Sequence, residues 1–134
     1  MNDFALLIGR WALAAVFLVS GANKFLNGID GVAAGLTAKG LPYGYELAIA
    51  AASAEVIGAL LLVIGFMTRL GALALIVFTV AATYYFHNFW AVDPAQYQQQ
   101  FTQFLKNLSM IGGLLVLFAA GPGSISIDGA SHEE

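Results

Sequence analysis

Cysteine is absent from this 134-residue sequence, and charged residues make up only 10% of it. The absence of cysteine excludes disulfides, thiolate zinc sites, cysteine-ligated iron–sulfur clusters and Cys-x-x-Cys redox chemistry. A soluble domain carries about 25% charged residues, so this chain has too few to cover a water-exposed surface. The five Lys and Arg residues form no basic stretch and the formal net charge is -3, which argues against nucleic-acid binding.

Apolar residues, in contrast, make up 60% of the chain, which excludes intrinsic disorder. A helix needs about 20 apolar residues to cross a bilayer core about 30 Å thick. Four runs meet this requirement, at residues 4–25, 43–66, 70–87 and 101–120. They are continuous and do not alternate with period two, so helices are favoured over barrel strands. The sequence therefore predicts an all-α polytopic membrane protein, in which the single domain 1–134 forms a four-transmembrane-helix bundle with short loops in a lipid bilayer.

The segments between and after these runs carry helix signals of their own. Apolar residues recur at helical spacing over 29–38, which predicts a short helix at the membrane interface. Asp93-Pro94 is typical of a helix start, with proline at the first helical position, so we expect the fourth helix to begin near Pro94. Gly121-Pro122-Gly123 is expected to end that helix, and the polar tail 124–134 is expected to fray.

Three ionisable residues lie well inside the apolar runs: Arg10, Glu55 and Lys106. Each costs about 2.5–3.5 kcal/mol at the centre of a membrane helix, so these side chains must pair or face the bundle interior. At about 1.5 Å per residue, Arg10 and Glu55 lie within about one helical turn of the same depth. We therefore predict an Arg10–Glu55 ion pair, which either fixes helix register as a structural clamp or leaves Glu55 available to a site.

A second polar layer is expected nearer the opposite membrane face, where Lys24, His87, Lys106 and Asn107 fall at similar depth. Together with Glu55, these four side chains are the candidate ligand-binding residues. The alternative for the lysines is that they extend to the interface with their charge in water, and for His87 that it is a simple interfacial polar residue. The sequence offers no nucleophile with a base partner and no metal-ligand set, so we predict no catalytic or metal-binding residue.

A series of short motifs, in a fixed order over about 10–128, resembles the DoxX family of small four-helix bacterial membrane proteins. The motifs combine charged or polar residues with helix-ending glycines, and they are Arg10, Gly21-x-x-Lys24, Gly40-Leu41-Pro42, Glu55-x-x-Gly58, Gly65-x-x-Thr68-Arg69, His87-Asn88-Phe89, Lys106-Asn107, Gly112-Gly113, Gly121-Pro122-Gly123 and Ser126-x-Asp128. The resemblance implies a four-helix bundle in a prokaryotic cytoplasmic membrane. It also implies association with redox systems, because family members look like subunits of thiosulfate:quinone oxidoreductase or partners of oxidative-stress enzymes.

Three functions are compatible with these residues. The first is an accessory or quinone-handling subunit of a membrane redox system, since Lys, His and Asn at headgroup depth can donate hydrogen bonds to quinone carbonyls. No intrinsic cofactor is predicted, because a single intramembrane histidine excludes a bis-histidine haem and no flavin or dinucleotide fingerprint occurs. Electron transfer would therefore require an oxidoreductase partner subunit, and we expect no independent enzymatic activity.

The second function is a non-catalytic membrane scaffold that anchors a partner protein through its polar loops. The third is a small lipid or solute transporter, because ionisable groups inside a membrane mark substrate paths. Four short helices without internal repeats leave little room for alternating access, so a transporter would require a homo-oligomer.

Overall fold

The computed structural model describes residues 2–130, and every regular element in that range is helical. The α-helices of this range are α1 (Asp3–Asn23), α2 (Ile29–Ala38), α3 (Gly44–Ile64), α4 (Thr68–Phe86), α5 (Pro94–Ala120) and α6 (Ile127–Ala130). A π-helical turn, Lys24–Gly28, joins α1 to α2, and a 3-10 turn, Phe89–Ala91, precedes α5.

Within the described residues, four helical stretches are long and apolar enough to cross a membrane. They are α3, α4 with its following turn, α5, and the continuous stretch formed by α1, the π-helical turn and α2. The predicted all-α fold with four membrane-spanning helices is therefore confirmed.

Two predicted helix positions are also confirmed. Helix α5 begins at Pro94, although Asp93 at its N-cap makes no side-chain capping bond. Residues 29–38 form α2, which continues α1 through the π-helical turn and packs on the start of α3. The contact is close, because a Cβ atom on Gly44 would lie 2.7 Å from the carbonyl oxygen of Ala33. Glycine at the start of α3 thus lets α2 fold against it.

Helix α3 forms the centre of the bundle, and small residues let its neighbours approach closely. A Cβ atom on Gly21 of α1 would lie 2.7 Å from Val56 Cγ2. A Cβ atom on Gly58 of α3 would lie 2.8 Å from Leu75 Cγ on α4. Helix–helix interfaces in membranes are enriched in such small residues, because association there depends on close packing and gains little from hydrophobic burial. These glycines therefore determine how α1 and α4 lie on α3.

The segment after α5 is ordered, and the expectation that it frays is wrong for residues 124–130. The carboxylate of Asp128 accepts hydrogen bonds from the backbone N–H groups of Met67 and Thr68, both at 2.9 Å. These donors belong to the unpaired N–H groups at the start of α4, which attract an anionic acceptor. The segment is held because it caps another helix. Residues 131–134 lie outside the described residues.

Candidate ligand-binding site

An ion pair between Lys24 and Glu55 lies in the bundle, between α1 and α3. Glu55 is only 2% exposed, and the Lys24 ammonium also donates a hydrogen bond to the Ser20 hydroxyl at 3.2 Å. The same ammonium lies 5.1 Å from the centre of the Phe78 ring. The close approach at Gly21 makes the pair possible, since it brings Glu55 against α1 one turn before Lys24.

The predicted Arg10–Glu55 pair is wrong, because Arg10 lies against the turn between α3 and α4. Its guanidinium donates hydrogen bonds to the backbone oxygens of Pro122 at 2.7 Å and Ile125 at 2.8 Å. A Cβ atom on Gly65, just after α3, would lie 3.2 Å from Arg10 Cζ. Gly65 is ten residues beyond Glu55, a distance of about 15 Å along a helix. The depth estimate failed because it measured each run from its own end, whereas α1 is shifted along α3.

The five candidate ligand-binding residues line one cavity of about 260 Å³, here called the polar chamber. The structure thus brings Glu55 into the layer that the sequence assigned to the other four. These residues come from the π-helical turn after α1, from α3, from the residue after α4 and from α5: Lys24, Glu55, His87, Lys106 and Asn107. That these residues bind a ligand remains a prediction.

Hydrogen bonds fix the α4–α5 side of the polar chamber. Buried Asn107 donates from its amide to the Thr83 hydroxyl at 2.9 Å. The hydroxyl of Thr83 donates to the backbone oxygen of Thr79 at 2.6 Å. The hydroxyl hydrogen of Thr83 is therefore used within α4, and its oxygen accepts the hydrogen bond from Asn107 of α5.

His87 lies at the end of α4 and is oriented by α5. Its Nδ1 atom is 2.9 Å from the side-chain oxygen of Gln100. Because an amide oxygen can only accept, Nδ1 carries the hydrogen and Nε2 keeps its lone pair. His87 therefore presents an acceptor in its neutral form, and the donors of the chamber are the lysines and Asn107.

Gln103 and Phe78 are among the walls of the polar chamber that were not singled out from the sequence. Gln103 lies one turn before Lys106 and Asn107 on α5, so helical spacing placed it on the same face. Phe78 stands beneath the Lys24 ammonium, and its ring packs edge-on against Phe17 at 6.4 Å between centroids. A single phenylalanine in an apolar helix gives no sequence signal for such a position.

A second cavity of about 410 Å³, here called the apolar cavity, adjoins the polar chamber. The two share Lys24, Phe78, Ala82 and His87 as walls. The remaining walls of the apolar cavity are aliphatic or aromatic and come from α2, α3, α4 and the α2–α3 link: Val32, Leu36, Leu41, Leu47, Ala51, Ala81, Tyr85 and Phe86. Lys24 and His87 therefore lie at the boundary between the polar chamber and the apolar cavity.

The chemistry of the polar chamber is that of hydrogen bonding and charge. Within residues 2–130, no group of three His, Asp or Glu side chains lies close enough to hold a metal ion. The chamber instead combines ammonium groups, a carboxylate, amides and an imidazole next to an apolar space. This arrangement suits an amphiphilic ligand with a small polar headgroup, since ligand pockets are mostly apolar with a few convergent polar groups.

Comparison with known proteins gives one family. The DoxX family model matches residues 5–88. The chain is 35% identical over 123 residues to inner membrane protein YphA of Escherichia coli K12, covering 92% of this chain and 87% of that protein. It is 32% identical over 128 residues to inner membrane protein YqjF of the same organism, covering 96% of this chain and 92% of that protein.

A more distant similarity reaches eukaryotes. A Surfeit locus protein 4 homolog of Drosophila melanogaster is 32% identical over 89 residues, covering 63% of this chain and 33% of that protein. No solved structure matches the chain significantly.

Proposed function

This chain belongs to the DoxX family of integral membrane proteins, and we propose that it binds a quinone as an accessory subunit of a redox system in the prokaryotic cytoplasmic membrane. The location follows from its relatives, which are named inner membrane proteins. The observation that carries the proposal is the polar chamber, in which hydrogen-bonding side chains face a small space that shares walls with an apolar one.

The polar chamber suits a single quinone ring in size and chemistry. Its volume of about 260 Å³ is just below the range of about 300–1,000 Å³ for drug-sized ligands. Quinone oxygens accept hydrogen bonds, and Lys24, Lys106 and Asn107 are donors. The lone pair on His87 Nε2 accepts the hydrogen of a hydroxyl, so the reduced ligand also finds a partner. Phe78 supplies an apolar wall for the ring.

The Lys24–Glu55 pair supplies the electrostatic part of the proposal. A quinone, when bound, would be the group that takes up electrons, and a partner oxidoreductase would supply them. Negative charge on the ring oxygens is stabilised by the Lys24 ammonium, and more strongly in a chamber of low dielectric than in water. Glu55, bonded to Lys24, is then the carboxylate beside the ring that can exchange a proton.

Native mass spectrometry of the protein, extracted mildly from its own membrane, tests the proposal. We expect a bound isoprenoid quinone in the wild type. Lys106→Met should reduce occupancy by about tenfold, because one charge-assisted hydrogen bond is lost. Lys106 is exposed on its helix, so its removal leaves no buried charge unpaired. His87→Ala should reduce occupancy by the reduced form of the ligand, whose hydroxyl then loses its acceptor.

Lys39→Met is the matched control, because Lys39 is a lysine on the same side of the bundle that lines neither cavity. It should keep the quinone at wild-type occupancy. A wild-type protein that carries a stoichiometric protein partner and no small ligand would overturn the proposal and favour a scaffold. Equal loss of quinone in Lys39→Met and Lys106→Met would show that the polar chamber is not the site.

A further inference from the structure

We infer that the apolar cavity is a separate subsite for the isoprenoid chain of the ligand, which enters sideways from the bilayer past Leu47 of α3. This inference rests on the proposed function, since it places the chain of a ligand whose ring occupies the polar chamber. It adds a second binding surface, formed by residues that the ring does not touch, and a direction of entry.

The adjacency of the two cavities supports the inference. Lys24, Phe78 and His87 line both, so a ligand whose ring lies in the polar chamber against these side chains has its chain next to the apolar cavity. Beyond these shared walls the lining offers aliphatic and aromatic side chains. A saturated or isoprenoid chain makes no demand for hydrogen bonds and fits such a lining.

The position of the apolar cavity supports entry from lipid. Its walls come from α2, α3, α4, the link between α2 and α3, Lys24 of the π-helical turn and His87 after α4, and none comes from α1 or α5. Leu47, at its rim on α3, is 42% exposed, whereas Leu36 on α2 is buried. An exposed apolar rim on a membrane-spanning helix faces acyl chains, so a chain can pass from the bilayer into the cavity without crossing water.

An energetic argument favours the chain of the bound ligand, and not a free lipid tail, as the occupant of the apolar cavity. A chain already in lipid gains little by moving into an apolar cavity, because lipid tails are as apolar as the side chains. A free lipid tail would therefore bind weakly there. For a chain tethered to a ring in the polar chamber, the entropy of association is lost once, when the ring binds. The chain then fills the cavity in an intramolecular step.

A substitution that fills the apolar cavity tests the inference. Ala51 of α3 lines this cavity and not the polar chamber, so Ala51→Phe should take up the space of the chain. In nanodiscs, binding of decylubiquinone should fall by about tenfold in this variant. Binding of the ring alone, as 2,3-dimethoxy-5-methylbenzoquinone, should stay within about twofold of the wild type.

Ala50→Phe is the matched control, because Ala50 is the neighbouring residue on α3, is exposed, and lines neither cavity. It should bind both compounds as the wild type does. If Ala51→Phe binds decylubiquinone normally, or if native mass spectrometry shows that it loses a phospholipid and keeps its quinone, the inference is overturned and the proposed function stands. If the ring alone fails to bind to the wild type, the proposed function itself fails.

A photoreactive chain tests the direction of entry independently of affinity. Decylubiquinone with a diazirine at the end of its chain should label peptides within 29–41 and 78–87. Labelling confined to α1 or α5 would place the chain on the opposite side of the ring and overturn the inference.

Discussion

Removing the charge of Glu55 should destabilise the protein through Lys24. Glu55→Gln removes the counter-charge of the Lys24 ammonium, whose remaining partners are an uncharged amide oxygen, the Ser20 hydroxyl and the Phe78 ring. Breaking a fully buried ion pair from one side costs about 3–5 kcal/mol. The Lys24 side chain is 23% exposed and can partly reach the mouth of the bundle, so we expect a loss of about 2–3 kcal/mol in the free energy of unfolding.

A double-mutant cycle measures the interaction energy between Lys24 and Glu55 separately from the effect of each single substitution. Lys24→Met also strands a charge, whereas Lys24→Met combined with Glu55→Gln strands none. The combined variant should therefore lie within about 1 kcal/mol of the wild type. With a loss of about 2–3 kcal/mol in each single variant, the coupling energy should be at least about 3 kcal/mol. Unfolding can be followed by titrating sodium dodecyl sulfate into dodecylmaltoside micelles, in a Trp90→Phe background. Fluorescence of Trp11 then reports the α1–α3 contact.

Trp11 is a suitable reporter because its indole nitrogen donates to the backbone oxygen of Val63 at 2.9 Å. The control is a second cycle, Arg10→Met with Glu55→Gln, which should be additive within about 0.5 kcal/mol. Arg10 is bonded to backbone oxygens at the other end of the bundle. Additive effects of Lys24 and Glu55, or clear coupling between Arg10 and Glu55, would refute the helix register described above.

Two further predictions concern the packing of α4. Asp128→Ala should destabilise the protein by about 1–2 kcal/mol, because it removes the acceptor of the α4 cap. Hydrogen exchange should then speed up at the amide of Thr68, and unchanged exchange there would contradict the cap. Gly58→Ala should cost about 1–3 kcal/mol in the same detergent titration, because the added methyl group meets the buried side chain of Leu75. Gly112→Ala, where no atom lies within 4 Å of the added group, should be neutral or slightly stabilising, and an equal loss in both variants would refute the packing argument.

The candidate site shows how far sequence reasoning reaches in a membrane protein. Lys24, Glu55, His87, Lys106 and Asn107 were selected because ionisable and amide side chains in apolar helices tend to face the interior. They line one cavity, so the selection by chemistry and approximate depth found the residues that lie together. That they bind a ligand remains a prediction.

The pairing of charges was not predictable in the same way. The partner of Glu55 depends on the axial shift of α1 along α3, which Gly21 sets by its contacts with Val56 and Ala52. Depth measured along one helix contains no information about that shift. Arg10 therefore appeared to be level with Glu55, although the structure brings Lys24 there.

The sequence by itself determined the four membrane-spanning helices and the start of α5 at Pro94. These features are local, because the thickness of the bilayer fixes the length of an apolar run and proline fixes its own backbone geometry. The tertiary structure alone decided the helix register, the assembly of the polar chamber beside an apolar cavity, and the ordering of residues 124–130. These depend on contacts between segments far apart in the chain: a carboxylate such as that of Asp128 caps a helix only where the fold brings the two together.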